Sequence, residues 1–248
     1  MRGSPLGLVI FDVDGTLAQT NAIDESCYAR AVEEVLGFQG FSTDWGAYEH
    51  STDNGILHEL IWTMGRRAPS LREMRAVRAR FIELIEEASH APVDASTHAW
   101  SEVDGAREML DALPAKGWQV AIATGGWGPS ARRKLQRVGI TLDDHPFACA
   151  DHAFSRLSII QRAMHEVCGR NIAPEFPVIY VGDGPWDIDA AHAGGYGFVG
   201  IGQGERALRL TSAGAVTVLR DYRDLSAFEA ALMGARTNHQ GQDPQRSH

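Results

Sequence analysis

The 248-residue sequence predicts an α/β fold, with a Rossmann-like, three-layer core built on a parallel sheet and a helical cap inserted after the first strand. Two observations carry this prediction. Short apolar runs without polar alternation, which suit parallel strands buried on both faces, recur along the chain and alternate with helical patterns. Between residues 20 and 92, in contrast, the pattern is helical and contains no convincing strand.

The expected strands are short apolar runs, and the strongest of them stop at clusters of Gly, Thr or Asp. Strong runs span residues 6–11, 118–123 and 178–181, and weaker ones span 147–150, 196–201 and 215–219. Helical patterns lie between them at 106–116, 130–138, 157–168 and 186–193. Because strands and helices alternate, we expect right-handed crossovers in an open, mostly parallel sheet.

The segment that interrupts this alternation contains helical patterns at residues 22–36, 44–50, 54–64 and 71–89. We interpret it as a cap domain of residues 20–92, inserted into a core domain formed by residues 1–19 and 93–236. The last residues, 237–248, are polar and lack apolar periodicity, so we expect a disordered tail there.

Composition and charge argue against nucleic acid and membranes as binding partners. The chain carries 23 basic and 32 acidic residues, a net charge of -9, and a field of that sign repels nucleic acid. No apolar stretch is long enough to span a bilayer. Three distant cysteines, Cys27, Cys149 and Cys168, fit a reducing compartment better than a disulfide framework. We therefore expect a cytoplasmic protein that binds neither nucleic acid nor membrane.

The strongest chemical signal is a pair of carboxylates, Asp12 and Asp14, placed where the first strand should end. In extended chain, residues two apart point to the same side, so both carboxylates can converge on one ligand. Asp14 and Gly15 also suit an ordinary turn. A turn does not explain two acidic side chains at the end of the most apolar strand, where unpaired charge is costly.

A second acidic cluster follows the apolar run 178–181. Asp183 stands at the expected strand end and Asp187 near the first turn of the next helix, where it could equally compensate the helix N-terminus. Aspartates at the ends of two strands supply only oxygen ligands, which favour a hard cation. Mg²⁺ is the cation that carboxylates and a substrate phosphate hold in this way.

A third element is the small polar segment Thr124, Gly125 and Gly126, again after an apolar run. The threonine hydroxyl and the backbone N–H groups of the glycines can approach an anion closely. Such a segment is also common loop composition, so it is informative only together with the two acidic clusters.

The segments Asp12-Val13-Asp14-Gly15-Thr16, Thr124 and Gly182-Asp183-x-x-x-Asp187 resemble motifs I, II and IV of the haloacid dehalogenase-like (HAD) phosphatase superfamily. The helical insertion stands where that family's C1 cap lies, as in its phosphoglycolate phosphatase-like and β-phosphoglucomutase-like members. The resemblance covers nearly all of the chain before the tail.

The resemblance implies phosphoryl transfer through an aspartyl-phosphate. Asp12 would be the nucleophile, and Asp14 would act first as acid and then as base. The residues expected at a Mg²⁺ ion are Asp12 and Asp183 with their carboxylates and Asp14 with its backbone carbonyl. Asp187 is expected to hold a metal-bound water or to orient the cationic residue. The groups expected to bind phosphoryl oxygens are Thr124, Gly125, Gly126 and a cationic side chain.

That cationic side chain departs from the family pattern. Motif III usually supplies a lysine before the helix that precedes motif IV, and this chain has no lysine after Lys134. We assign the role to Arg156, since arginine can clamp a phosphate or carboxylate with two N–H groups. The alternative is that Arg156 only caps a loop and Lys134 supplies the charge.

We therefore expect a Mg²⁺-dependent phosphatase acting on a small phosphorylated metabolite. A sugar phosphomutase of the β-phosphoglucomutase type and a catalytically silent binding module on the same fold remain open alternatives. Trp127 is expected at the mouth of the site. The cap residues expected to select the substrate, which would also suit helix N-caps or surface charges, are Thr52, Asp53, Asn54, Arg66 and Arg67.

Overall fold

A six-stranded parallel sheet forms the centre of the molecule. The structure is a computed structural model that describes residues 5–90, 100–143, 145–169 and 176–240. The strands of this sheet are β1 (Gly7–Phe11), β4 (Trp118–Ala123), β5 (Phe147–Ala148), β6 (Val178–Gly182), β7 (Gly197–Ile201) and β8 (Val218–Leu219). Their order is β5-β4-β1-β6-β7-β8, and every pairing is parallel. The predicted parallel α/β core is thereby confirmed.

Strand β1 lies in the middle of the sheet and is buried along its whole length. Leu8 and Ile10 face one apolar cluster, whereas Val9 and Phe11 face another on the opposite side. Because successive side chains of a strand point to opposite faces, an uninterrupted apolar run is what a strand covered on both faces requires.

Helices cover both faces of the sheet. Those beyond the helical segment are α4 (Ala106–Ala112), α5 (Gly128–Arg137), α6 (Arg156–Cys168), α7 (Pro185–Ala193), α8 (Glu205–Ser212) and α9 (Leu225–Gln240). Buried residues of α6 and α7 pack on the face of Ile10, and buried residues of α4, α5 and α9 pack on the face of Phe11. The result is the three-layer arrangement that the sequence predicts.

The segment after β1 contains the helices α1 (Asn21–Leu36), α2 (Asp53–Thr63) and α3 (Leu71–Ser89), which confirms the insertion of helices after the first strand. The pattern at 44–50 is wrong in extent, since only a 3₁₀ turn forms there, Trp45–Ala47. An aromatic group joins this segment to the core: the rings of Tyr28, Phe81 and Trp127 contact one another at centroid distances of 5.5–5.8 Å.

Several elements differ from the sequence prediction. The pattern at 106–116 breaks after Ala112, because Pro114 lacks the N–H that a continuing helix needs, and a 3₁₀ turn follows. The two-residue strands β2 (Ala18–Gln19) and β3 (Ser101–Glu102) pair antiparallel and were not predicted. Helices α8 and α9 were also missed, and α9 reaches Gln240, within the segment expected as a tail. Residues 241–248 lie outside the described residues.

Two further expectations can be compared with the structure. Among the described residues, none of the helices has the length and apolarity that crossing a membrane would require. Cys27, Cys149 and Cys168 are all free thiols.

Candidate active site

The functional candidates meet at the carboxyl ends of three adjacent strands. β1 pairs with β4 on one side and β6 on the other, and each of these strands is followed directly by a candidate: Asp12, Thr124 and Asp183. All three side chains are buried. Ligands of open α/β sheets bind at this edge.

Three carboxylates form a compact acidic group. One oxygen from each of Asp12, Asp183 and Asp187 lies within 4.8 Å of the others. Burial raises the pKa of Asp12 and of Asp183 to about 7 and the pKa of Asp187 to about 6, because burial penalises the charged form; Arg156 opposes this at Asp12 and Asp187. A bound cation would relieve the same penalty.

The carboxylate oxygens of Asp12, Asp183 and Asp187 are suitable ligands for a hard divalent cation. Oδ1 of Asp183 is buried and has no hydrogen-bond partner in the described part of the chain, whereas buried polar atoms are ordinarily satisfied. The available ligands are carboxylate oxygens, which Mg²⁺ prefers. Asp14, whose backbone carbonyl was expected at the metal, has its side chain outside this group of three.

Arg156 provides the positive charge beside the nucleophile candidate. It occupies the first position of α6, whose N-cap is Ser155. Its Nη1 lies 3.2 Å from Oδ1 of Asp12 and 3.0 Å from Oδ1 of Asp187, and its Nη2 donates to the carbonyl of Ser51 at 2.8 Å. The guanidinium therefore contacts two acidic side chains and the segment that precedes α2.

Lys134, the alternative source of the positive charge, lies on the helix after β4 and pairs with Asp14 rather than with Asp12. Its side chain is fully buried on α5, and Nζ pairs with Asp14 at 2.8 Å and with Asp24. Burial opposes its charge, but the two carboxylates outweigh burial and raise the pKa of Lys134 above its usual value. Thr20 donates a hydrogen bond of 2.5 Å to Asp14 from the other side. Asp14 is thus held by two polar partners.

The loop after β4 lies against both Arg156 and the helical segment. A Cβ atom at Gly125 would stand 2.5 Å from Nη2 of Arg156 and 2.8 Å from the carbonyl of Ser51, so only glycine fits. The hydroxyl of Thr124 accepts a hydrogen bond of 3.2 Å from the N–H of Gly126. The loop that could bind an anion is packed closely against the guanidinium.

Asp183 has supports that sequence reasoning missed. Asn21 donates to its Oδ2 at 3.1 Å, and Arg206 lies 3.0 Å from the same oxygen. Gly15 adopts φ +72°, and a Cβ there would collide with this carboxylate at 1.9 Å. Arg206 and Ser51 approach the site from distant parts of the chain, so no local pattern identifies them. Asn21 stands only seven positions after Asp14 and could have been considered with it.

The polar cluster at the start of α2 docks this helix on the core. Thr52 donates to the carbonyl of Phe154 at 2.7 Å, and Asp53 accepts from the N–H of Trp127 at 2.7 Å. Asn54 donates to the carbonyl of Ala150 at 2.7 Å and accepts from the Trp127 indole at 2.8 Å.

Three other expectations about the substrate end of the site can be compared with the structure. The expectation for Trp127 is wrong: its side chain is fully buried under the helical segment and does not line the mouth. Arg67 pairs with Glu73 on the surface, and Arg66 is exposed. Neither arginine lines the cavity beside Asp12.

That cavity has a volume of about 50 Å³. The strand ends, the loop 124–126 and Arg156 form its core side, and the helical segment covers it. Its residues from the helical segment are Asn21, Asp24, Trp45, Ser51, Thr52, Asp53 and Ile56.

Comparison with known proteins places the chain in a family. The profile described as "Haloacid dehalogenase-like hydrolase" matches residues 9–201. The chain is also similar to the tyrosine-protein kinase PtkA of Mycobacterium tuberculosis, with 29% identity over 200 residues. The match covers 79% of this chain and 62% of PtkA, so the chain spans less than two thirds of the length of this relative.

Two solved structures share the fold. A hydrolase from Pseudomonas syringae superposes with a TM-score of 0.71 at 18% identity, over 90% of this chain and 98% of that one. A predicted phosphoglycolate phosphatase from Haemophilus somnus gives a TM-score of 0.62 at 18% identity, over 90% and 97%. Both share the α/β fold that the sequence predicts.

Proposed function

Because the chain belongs to the haloacid dehalogenase-like hydrolase family, we propose that it hydrolyses a small phosphate monoester through an aspartyl-phosphate on Asp12. The observation that carries this proposal is the placement of Asp12. It is buried at the end of β1, within 4.8 Å of two further carboxylates and 3.2 Å from Arg156. A carboxylate in such a place can act as a nucleophile toward phosphorus.

In the first step, an oxygen of Asp12 forms a bond to phosphorus and the bond to the leaving oxygen breaks. Asp14 would give the leaving oxygen its proton. Thr124 and the N–H groups of Gly125 and Gly126 would hold the phosphoryl oxygens, and Arg156 would balance their charge.

In the second step, a water molecule attacks phosphorus and gives its proton to Asp14. The bond between phosphorus and Asp12 then breaks and releases inorganic phosphate. The contacts of Asp14 with Thr20 and Lys134 fix the carboxylate that both steps require.

Mg²⁺ is the cation that we propose for the acidic group. Asp12 and Asp183 would hold it, with Asp187 beside them and Asp14 contributing its backbone carbonyl. When bound, the ion neutralises negative charge on the phosphoryl group.

The test is phosphate release from a panel of phosphate monoesters that includes 4-nitrophenyl phosphate. We expect turnover with Mg²⁺, none with EDTA, and a loss of at least about a thousandfold in kcat for Asp12→Asn. The substitution keeps the size of the side chain, and circular dichroism checks its fold. Release that is indifferent to Asp12 would overturn the proposal.

A second candidate is transfer of the phosphoryl group to an acceptor other than water. The similarity to PtkA, which is described as a tyrosine-protein kinase, favours its inclusion, and a sugar phosphomutase belongs to the same class of transfer. Incubation with labelled ATP or with hexose phosphates distinguishes these reactions. Two outcomes would favour transfer over hydrolysis, provided that little free phosphate is released. One is the appearance of label from ATP on protein tyrosine, and the other is migration of the phosphate to a different hydroxyl of the hexose.

A further inference from the structure

Among the residues that the structure describes, none that lines the cavity beside Asp12 has a free positive charge for a second anionic group of the substrate. Within the same described lining, five residues carry carboxyl groups, namely Asp12, Asp14, Asp24, Asp53 and Asp183, and Arg156 is the one cation. Arg156 is already engaged by Asp12, Asp187 and the Ser51 carbonyl. Among the described residues, those that line the cavity therefore offer nothing positive to a leaving group.

The nearby cations are committed elsewhere. Lys134 lies behind the cavity wall, where Asp14 and Asp24 both pair with it. Arg206 pairs with Asp183 and is not part of the cavity lining. Beyond the phosphoryl group and the proposed metal, the described cavity lining therefore presents the carboxyl groups of Asp24 and Asp53, which can accept hydrogen bonds, and no unpaired cation.

The rest of the wall combines the apolar and aromatic side chains of Trp45, Ile56 and Trp186 with uncharged polar residues, namely Asn21, Ser51 and Thr52. Such a wall packs against methylene groups, and an indole face also attracts a cation. A volume of about 50 Å³ holds only a few water molecules, which favours a compact leaving group.

From this charge distribution we propose that the substrates are small phosphomonoesters whose leaving group carries no negative charge, with an ammonium group favoured over a hydroxyl. This inference rests on the proposed function. A carboxylate or second phosphate on the leaving group would be desolvated beside Asp24 and Asp53 without a cationic partner, which is unfavourable.

Three esters of nearly equal size test the charge preference. Phosphoethanolamine, 2-hydroxyethyl phosphate and 2-phosphoglycolate differ mainly in their terminal group, which is an ammonium, a hydroxyl or a carboxylate. The nitrogen or oxygen atoms of this group are three bonds from the ester oxygen in each compound. We expect kcat/KM to fall in that order, with at least a tenfold loss from the hydroxyl to the carboxylate. Equal or better turnover of 2-phosphoglycolate would overturn the inference.

4-Nitrophenyl phosphate separates failure of the inference from failure of the proposed function. If it is hydrolysed while all three small esters are refused, the compact substrate class is wrong and the hydrolase mechanism stands. If it is refused too, the proposed function fails and this inference falls with it.

A substituted pair tests whether charge is the cause. Trp45 is half-buried on a 3₁₀ turn and lines the cavity, so Trp45→Lys would place a cation there, and Trp45→Met is the uncharged control. We expect Trp45→Lys to raise the preference for 2-phosphoglycolate over 2-hydroxyethyl phosphate at least tenfold relative to Trp45→Met. An unchanged preference would argue against the charge explanation. The ranking on the unsubstituted chain remains decisive if Trp45→Lys folds poorly.

Discussion

At the scale of single residues, the feature that most determines the site is the charge of Arg156. Its side chain is only 12% exposed and faces Asp12 and Asp187, whose side chains are 5% and 0% exposed. Buried carboxylates of this kind depend on a compensating cation, because their removal from water is otherwise unfavourable. Arginine and lysine carry the same charge, but arginine can donate hydrogen bonds from more than one nitrogen, so its charge and its hydrogen-bonding geometry can contribute separately.

Substitution of Arg156 can separate these two properties. Arg156→Lys keeps the charge but loses the second N–H group that reaches Ser51, so we expect kcat/KM to stay within about tenfold of the parent. Arg156→Met removes the charge. We expect it to lose more than a hundredfold in kcat/KM and to lower the free energy of unfolding by about 3 kcal/mol, because two buried carboxylates lose their partner.

The measurements are steady-state kinetics with Mg²⁺ and urea unfolding in EDTA, where no added cation can replace the guanidinium. Equal activity of the lysine and methionine variants would show that the charge at this position is not required.

The sequence predicted the placement of the strand-end residues better than the placement of their partners. Asp12, Thr124 and Asp183 each follow an apolar run, and parallel strands bring their ends to one edge. The pairing of Lys134 with Asp14 and Asp24 could not be derived, because it depends on how α5 packs against α1. The assignments of individual catalytic and metal-binding roles stay predictions.

At the scale of elements, the start of α2 connects the helical segment to the core through four hydrogen bonds made by the side chains of Thr52, Asp53 and Asn54. Its residues were expected to select a substrate; their side chains dock the helix on the core, and Thr52 and Asp53 also line the cavity. Asn54 is the clearest example, since it donates to one backbone carbonyl and accepts from the buried indole of Trp127.

We expect Asn54→Ala to lower the free energy of unfolding by about 2 kcal/mol, because the Trp127 indole N–H loses its acceptor in a buried place. Thr63→Ala is a matched control at the other end of α2. Its side chain is exposed and bonds only within the helix, so a change within about 0.5 kcal/mol is expected. Urea unfolding of both variants checks the difference, and equal losses would contradict a docking role for Asn54.

The elements that sequence reasoning missed or misjudged are those whose stability comes from their surroundings. β2 and β3 have two residues each and exist only because they pair with each other. The pattern at 44–50 gave only a 3₁₀ turn around Gly46, since glycine is a poor helix former. Long apolar runs such as β1 can be recognised as buried strands from their own sequence, and these strands were predicted.

At the scale of the whole molecule, we propose that residues 20–92 form a cap domain and residues 1–19 and 93–236 a core domain. One apolar cluster nevertheless includes buried residues from both. Tyr28 and Phe81 of the first contact Trp127 of the second. Two units that share such a buried surface are not expected to unfold independently.

We therefore expect a single unfolding transition in urea. Tryptophan fluorescence, to which Trp127 at the shared surface contributes together with the five other tryptophans, and far-ultraviolet circular dichroism should give the same midpoint. Separate midpoints, with fluorescence changing first, would show that the helical segment unfolds on its own.

The guanidinium of Arg156 has one more consequence, which concerns communication within the molecule. One of its nitrogens contacts Asp12 and Asp187, and the other donates to the carbonyl of Ser51, just before α2. Because the group is planar and rigid, its two ends move together. A ligand that changes the position of Arg156 at the acidic end therefore changes how firmly Ser51 is held. Thermodynamic reciprocity then requires that whatever holds Ser51 in place alters the affinity of the acidic end by the same factor.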